Sequence, residues 1–235
     1  MITQGLATVA PAAAWGMRLV VCGTDTDVGK TVVSALLVQG LGAHYWKPVQ
    51  SGLDPAGGDS GTVEALLQLP KQRLVPEAYR LTLPASPHWA AARDGVRIEA
   101  EHLRLPGGDD PLVVETAGGL LVPLRLDWLQ IDQLALWQLP VLLVARSGLG
   151  TLNHTLLSVE ALQRRGIPLL GLVLNGPIHP DNPRTLEAIA GVPVLAELPP
   201  LQPLTAEGLA AQWQRLDLAG QLAQRCLALA ATATP

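Results

Sequence analysis

The run Gly23-Thr24-Asp25-Thr26-Asp27-Val28-Gly29-Lys30-Thr31 has the residue types of a phosphate cradle. Two glycines bracket it, and a lysine and a hydroxyl residue close it. Met17 to Cys22 lead in as an apolar strand, and Lys30 to Leu41 lead out as a helix that stops at Gly40 and Gly42. In that setting successive backbone N–H groups wrap phosphate oxygens, and the helix N-terminus adds partial positive charge. Lys30 is placed to reach the β- and γ-phosphates of a nucleotide, and the Thr31 hydroxyl to ligate Mg²⁺. Five residues rather than four separate Gly23 from Gly29, and Asp25 and Asp27 put two carboxylates into an anion-binding loop. A carboxylate beside triphosphate is costly unless it meets a cation. One of the two is therefore expected to face a positive group on a second substrate.

Two further groups stand at strand ends, where open α/β sheets bind ligands. Lys47 closes the apolar stretch that starts at Tyr45, and can point across the crevice at a transferring phosphoryl group. The plainer alternative is a solvated lysine. Glu115 ends the apolar run Leu112 to Glu115 and precedes Ala117-Gly118-Gly119, where such folds place a carboxylate near Mg²⁺. Gly150 to Asn153 open a helix whose leading N–H groups suit a carboxylate, although Asn153 can equally cap that helix itself.

The loop resembles that of the dethiobiotin synthetase family, and the likeness continues in order down the chain. Tyr45-Trp46-Lys47-Pro48-Val49-Gln50-Ser51-Gly52 resembles the family's Lys-Pro-Val segment with its Ser-Gly. Ser86-Pro87-His88, Val114-Glu115-Thr116-Ala117-Gly118-Gly119 and Leu149-Gly150-Thr151-Leu152-Asn153-His154 resemble its later motifs, with Thr116 where the family usually has Gly. The likeness covers about Arg18 to Leu201. It implies a homodimer that takes 7,8-diaminopelargonate, CO₂ (or bicarbonate) and MgATP, and gives dethiobiotin, ADP and phosphate through a carbamate and its mixed anhydride.

By the same resemblance Lys47 and Lys30 are catalytic, and Thr31, Asp59 and Glu115 hold Mg²⁺. Asp54 competes with Asp59, which can also be a helix cap. Asp27, Val28, Gly29, Val32, Thr116, Ala117 and Gly118 border the nucleotide. Asn175 with Gly176 reads the adenine edge, and Pro199, Pro200 and Leu201 line the base. Asn175-Gly176 is also a plain turn signal. Thr26 and Ser51 touch the diamine, unless each only bonds its own turn. Gly150, Thr151, Leu152 and Asn153 of the partner subunit hold the diamine's carboxylate. His88 and His154 are read as structural.

Strand and helix alternate throughout. Strands are expected at Tyr45–Val49, Val141–Ala145, Leu169–Leu174 and Val192–Leu195. Helices are expected at Thr62–Leu69, Pro87–Asp94, Ile131–Leu139, Leu152–Arg165, Asp181–Ala190 and Leu209–Ala231. The class is α/β, a three-layer phosphate-loop fold with a mostly parallel sheet and helices on both faces. Residues 17–235 are expected to form one domain and residues 1–16, rich in Ala and interrupted by Pro11, a loose extension.

The 235 residues are 49% hydrophobic and 15% charged, enough for a packed core. A net charge of -4 argues against nucleic acid as a partner. No apolar run reaches the ~18 residues of a membrane span without a charge, Gly or Pro. Two cysteines, Cys22 and Cys226, leave one bridge possible but unforced, and a reduced cytoplasmic protein is expected. A partitioning or switch ATPase is the main rival, but such loops usually carry Lys where this one has Asp25. An amidotransferase-type ligase would need a further domain, and an inactive nucleotide-binding subunit would not need Lys30, Thr31, Lys47 and Glu115 together.

Overall fold

The computed structural model describes residues 17–54 and 57–232. The extension expected at residues 1–16 lies outside them. Seven parallel strands form the main sheet: β1 (Arg18–Gly23), β2 (His44–Trp46), β4 (Leu74–Val75), β6 (Leu112–Gly119), β9 (Val141–Arg146), β10 (Leu169–Asn175) and β11 (Val194–Leu198). Their order across the sheet is β11-β10-β9-β1-β6-β2-β4. The chain runs outward from β1 first to one side and later to the other. A crevice therefore opens at the carboxyl end of β1, beside β6 and β9.

Alternation along the strands sorts the core into two layers. Leu19 and Val21 of β1, Val113 of β6 and Leu142 and Val144 of β9 face one way. There they meet α1 (Lys30–Leu41), α2 (Gly58–Leu67), α7 (Ala206–Arg215) and α8 (Leu218–Thr232). Val20, Cys22, Leu112, Val114, Val141 and Leu143 face the other way, toward α4 (Gln130–Trp137), α5 (Thr151–Gln163) and α6 (Asn182–Ala190). Burial on both faces is why these strands read as unbroken apolar runs.

Several boundaries differ from the sequence reading. The strand expected at Tyr45–Val49 divides: β2 ends at Trp46, and β3 (Val49–Ser51) pairs instead with β5 (Tyr79–Leu81) in a small separate sheet. Pro48 has no N–H to continue the ladder, and its carbonyl accepts Tyr79 N–H at 3.0 Å. A second small sheet joins β7 (Pro123–Arg125) and β8 (Trp128–Leu129), and packs with α3 (Pro87–Arg93) over a satellite core. α2 starts at Gly58, four residues before its expected start at Thr62, so Asp59 lies within its first turn. The last strand begins after Pro193. The helix expected at Leu209–Ala231 is two helices, because Asp217 adopts φ 46° between α7 and α8. Both cysteines are free thiols. Among the described residues no helix is long and apolar enough to cross a membrane.

Gly40 of α1 lies against the indole of Trp213 in α7, and a Cβ there would sit 2.2 Å from a ring carbon. Alanine would gain about 1 kcal/mol of helix propensity. Against a rigid buried ring, overpacking of about 1–3 kcal/mol outweighs that gain. Gly40→Ala is expected to lower the unfolding free energy in a urea titration; an unchanged or raised midpoint would contradict this packing.

Candidate active site

The phosphate loop joins β1 to α1. Asp27 (φ 55°) and Gly29 (φ 95°) adopt left-handed backbone, which turns the chain sharply into the helix. At Gly29 the glycine is required twice over, since a Cβ would also lie 2.1 Å from the Asn175 side-chain nitrogen. The first turn of α1, Lys30 to Val32, presents the leading N–H groups of the helix to the cleft. The Lys30 ammonium donates to the Asp25 carbonyl at 2.8 Å. Burial, with the nearby Lys47 charge adding to it, holds its pKa below the ordinary lysine value, against the pull of Glu115 and Asp59.

Beside the loop lies a buried charge cluster. Lys47, 3% exposed, places its ammonium 2.6 Å from Asp59 Oδ2, 3.1 Å from Glu115 Oε1 and 3.0 Å from the Thr116 carbonyl. Burial opposes charge on Lys47, but Glu115 and Asp59 outweigh it and raise its pKa. Burial likewise raises Asp59, and the Lys47 ammonium more than reverses this, so its carboxyl titrates below the usual range. The Thr31 hydroxyl lies 3.0 Å from Asp59 Oδ1 and 2.9 Å from Glu115 Oε1. Its single proton cannot serve both carboxylates. Oxygens of three side chains thus crowd one point, the donor set that suits a hard divalent cation.

These groups share one cleft of about 580 Å³. It is walled by Thr26, Asp27, Gly29, Lys30, Thr31, Val32, Lys47, Ser51, Asp59, Glu115, Ala117 and Gly118, all expected from sequence, and by Gln50, Val122 and Pro84 to Pro87. Lys47 is accordingly not a solvated strand-end lysine. Asp59 is not a helix cap either: Gly57 holds the cap position of α2, and Asp54 accepts the Gly58 N–H at 2.8 Å. The Ser51 hydroxyl is buried with no hydrogen-bond partner among the described residues, so it does not bond its own turn.

Other expected residues fall elsewhere. Val28 is buried in the core below the loop. The Thr116 side chain turns from the cleft to donate to the Val21 carbonyl at 3.3 Å, leaving its own carbonyl to hold Lys47. Asn175 lies against Gly29 and donates to the Val28 carbonyl at 3.1 Å; Gly176 donates to Leu198 at 2.9 Å. This sets Asn175 and the Pro199–Leu201 segment beyond the loop, outside the walls of the cleft. Gly150 to Asn153 also lie outside it; Gly150, in left-handed backbone, holds the cap position, so Asn153 does not cap the helix.

Three partners were not foreseen. Arg146, at the end of β9, pairs with Asp25 at 3.2 Å, so the cation facing that loop carboxylate belongs to the chain itself. Tyr45 donates its hydroxyl to Glu115 Oε2 at 3.0 Å. Gln50 Oε1 accepts the Asp59 N–H at 3.1 Å and so ties β3 to α2. Arg146 was legible as a cation at a strand end, but the other two look like ordinary strand residues.

The parallel sheet and its glycine-bracketed loop define a phosphate-loop ATP-using domain, and residues 17–208 match the AAA domain family. Among solved structures, the septum site-determining protein MinD of Pyrococcus horikoshii OT3 in complex with Mg-ADP aligns with a TM-score of 0.54, at 17% identity over 89% of this chain and 95% of that one. A plasmid partition protein of Borrelia burgdorferi B31 bound to AMPPNP aligns at 0.53, with 11% identity over 88% and 97%. At such identities the likeness is one of fold. The ATP-dependent dethiobiotin synthetase BioD of Rhodopseudomonas palustris strain BisB18 is 55% identical over 197 residues, 84% of this chain and 94% of that protein. The protein of that name from Brucella ovis is 50% identical over 192 residues, 82% and 90%. The chain belongs to the dethiobiotin synthetase family.

The depressed carboxyl of Asp59 makes stability depend on pH. Its folded pKa lies below the unfolded value, so its contribution is complete above the ordinary aspartate range and is lost as pH falls through the lowered pKa. Asp59→Asn is therefore expected to be less stable than the parent protein at neutral pH, with the gap closing as pH drops below about 4. Urea titrations of both proteins at a series of pH values would measure it. A gap independent of pH would contradict the pairing with Lys47.

Proposed function

We propose that this chain closes the ureido ring of dethiobiotin, as an ATP-dependent ligase that forms a C–N bond. The observation that most supports the reading is the cluster of Lys47, Asp59, Glu115 and Thr31 in the same cleft as the Lys30 loop. Phosphoryl transfer is mostly positioning and electrostatics, and this cleft supplies both. The loop N–H groups and Lys30 hold the triphosphate. Asn175, Gly176 and the Pro199–Leu201 segment flank the base.

In the reaction one amine of 7,8-diaminopelargonate adds to CO₂ to give a carbamate. A carbamate oxygen attacks the γ-phosphorus, and the bond to ADP breaks. The second amine then attacks the carbonyl carbon of the mixed anhydride, loses its proton and expels phosphate. Lys47 and Lys30 neutralise the charge that builds on the transferring group. Thr26 and the buried Ser51 hydroxyl orient the diamine. Thr31, Asp59 and Glu115 would hold Mg²⁺, which when bound neutralises phosphate charge. Among the described residues no group of three or more His, Cys, Asp or Glu side chains could hold a metal by itself. Mg²⁺ fits such a site, because it is commonly held by one or two carboxylates with water and phosphate oxygens.

The helix opening at Gly150–Asn153 lies outside the cleft of its own chain, which favours a homodimer in which it holds the substrate carboxylate of the partner's site. The mean composition, the free thiols and the reaction suit the cytoplasm.

Incubation of the purified protein with MgATP, bicarbonate and the diamine is expected to yield dethiobiotin by mass, with one ADP per product. Lys47→Gln is expected to cut turnover by about 100-fold or more while nucleotide still binds. ATP consumption with no new ring, or full turnover by the variant, would overturn the reading.

A further inference from the structure

Tyr45 has no part in the chemistry described so far, yet its hydroxyl is aimed at the centre of the site. It is fully buried on β2, among the side chains between the sheet and α1. β2 pairs with β6 so that Tyr45 stands beside Val113, two residues before Glu115. From there the phenol crosses to Glu115 Oε2 at 3.0 Å. Among the described residues it is the hydrogen-bond donor to that oxygen. The other oxygen, Oε1, is the one that lies 2.9 Å from Thr31 Oγ1 and 3.1 Å from Lys47 Nζ. The carboxylate is therefore divided, with one oxygen held inward and one presented to the cleft.

A terminal glutamate torsion is soft, and sterics alone do not set the plane of the carboxylate. Glu115 is 0% exposed, so no solvent hydrogen bond can set it either. We propose that Tyr45 is a positioning residue that fixes the plane of the Glu115 carboxylate, so that Oε1 faces the point where Thr31 and Asp59 converge. Groups that orient ligating side chains in this way change metal affinity by about 10–100-fold when removed. The inference rests on the reading that Thr31, Asp59 and Glu115 hold Mg²⁺.

The test is Tyr45→Phe, which keeps the ring and removes the donor. Binding of a fluorescent ADP analogue is followed as Mg²⁺ is added, and again in EDTA. The variant is expected to need about 10-fold more Mg²⁺ for half of the metal-dependent gain in affinity, with its affinity in EDTA within twofold of the parent's. Replacing Tyr45 with 4-aminophenylalanine restores an N–H donor on the same ring and is expected to bring the Mg²⁺ requirement back. A lower melting temperature with an unchanged Mg²⁺ requirement would make Tyr45 a packing residue only and overturn the proposal. So would failure of the amino variant to restore the requirement. If the parent protein itself bound nucleotide with no Mg²⁺ dependence, the metal reading would fall instead.

Discussion

The site is organised around one buried cation. Lys47 is held in the cleft by carboxylates from two different elements, Asp59 on α2 and Glu115 on β6. Taking three charges out of water costs several kcal/mol for each, and only close geometry with further hydrogen bonds repays it. Here the geometry is supplied by the Thr116 carbonyl for Lys47, by Gln50 at the backbone of Asp59, and by Thr31 and Tyr45 at Glu115. The arrangement also decides the split of β2 from β3. Pro48 ends the ladder at the point where the lysine must turn inward, and the chain finds a new partner in β5.

The same electrostatics sets Lys30 apart from Lys47. Both ammonium groups reach one cleft, but the two carboxylates are in direct contact with Lys47, while Lys30 leans on a neutral carbonyl of its own loop. One lysine is neutralised in place. Among the described residues the other has no carboxylate in direct contact, and it stands at the mouth of a helix whose N–H groups add positive potential. The loop's own Asp25 does not spoil the field, because Arg146 answers it from the end of β9.

Much of this was legible in the sequence, for identifiable reasons. The strands are buried on both faces and read as apolar runs; the loop announces itself by glycines at positions where left-handed backbone or close approach demands them. Lys47, Asp59 and Glu115 were readable as a set only through the family's ordered motifs, because a lysine or glutamate at a strand end looks the same whether solvated or buried. Their mutual contacts depend on α2 starting at Gly58, which Gly57-Gly58 and Asp54 decide and which helix propensity does not favour. Tyr45 and Gln50 were out of reach for a related reason. Their roles are set by register across β2, β6 and α2, and sequence spacing does not carry register. The break at Asp217 escaped because the Ala- and Leu-rich segment is helical on both sides of it.

The opposed behaviour of the two lysines can be observed directly. The chain contains three lysines, Lys30, Lys47 and Lys71, so ¹³C-ε-lysine NMR of the Lys71→Arg protein leaves two signals to follow. In EDTA, without nucleotide, the Lys47 signal is expected to keep its protonated position above pH 10.5, while the Lys30 signal moves below it. Both signals moving together, or Lys47 losing its proton first, would show that the carboxylates do not hold the cation as described.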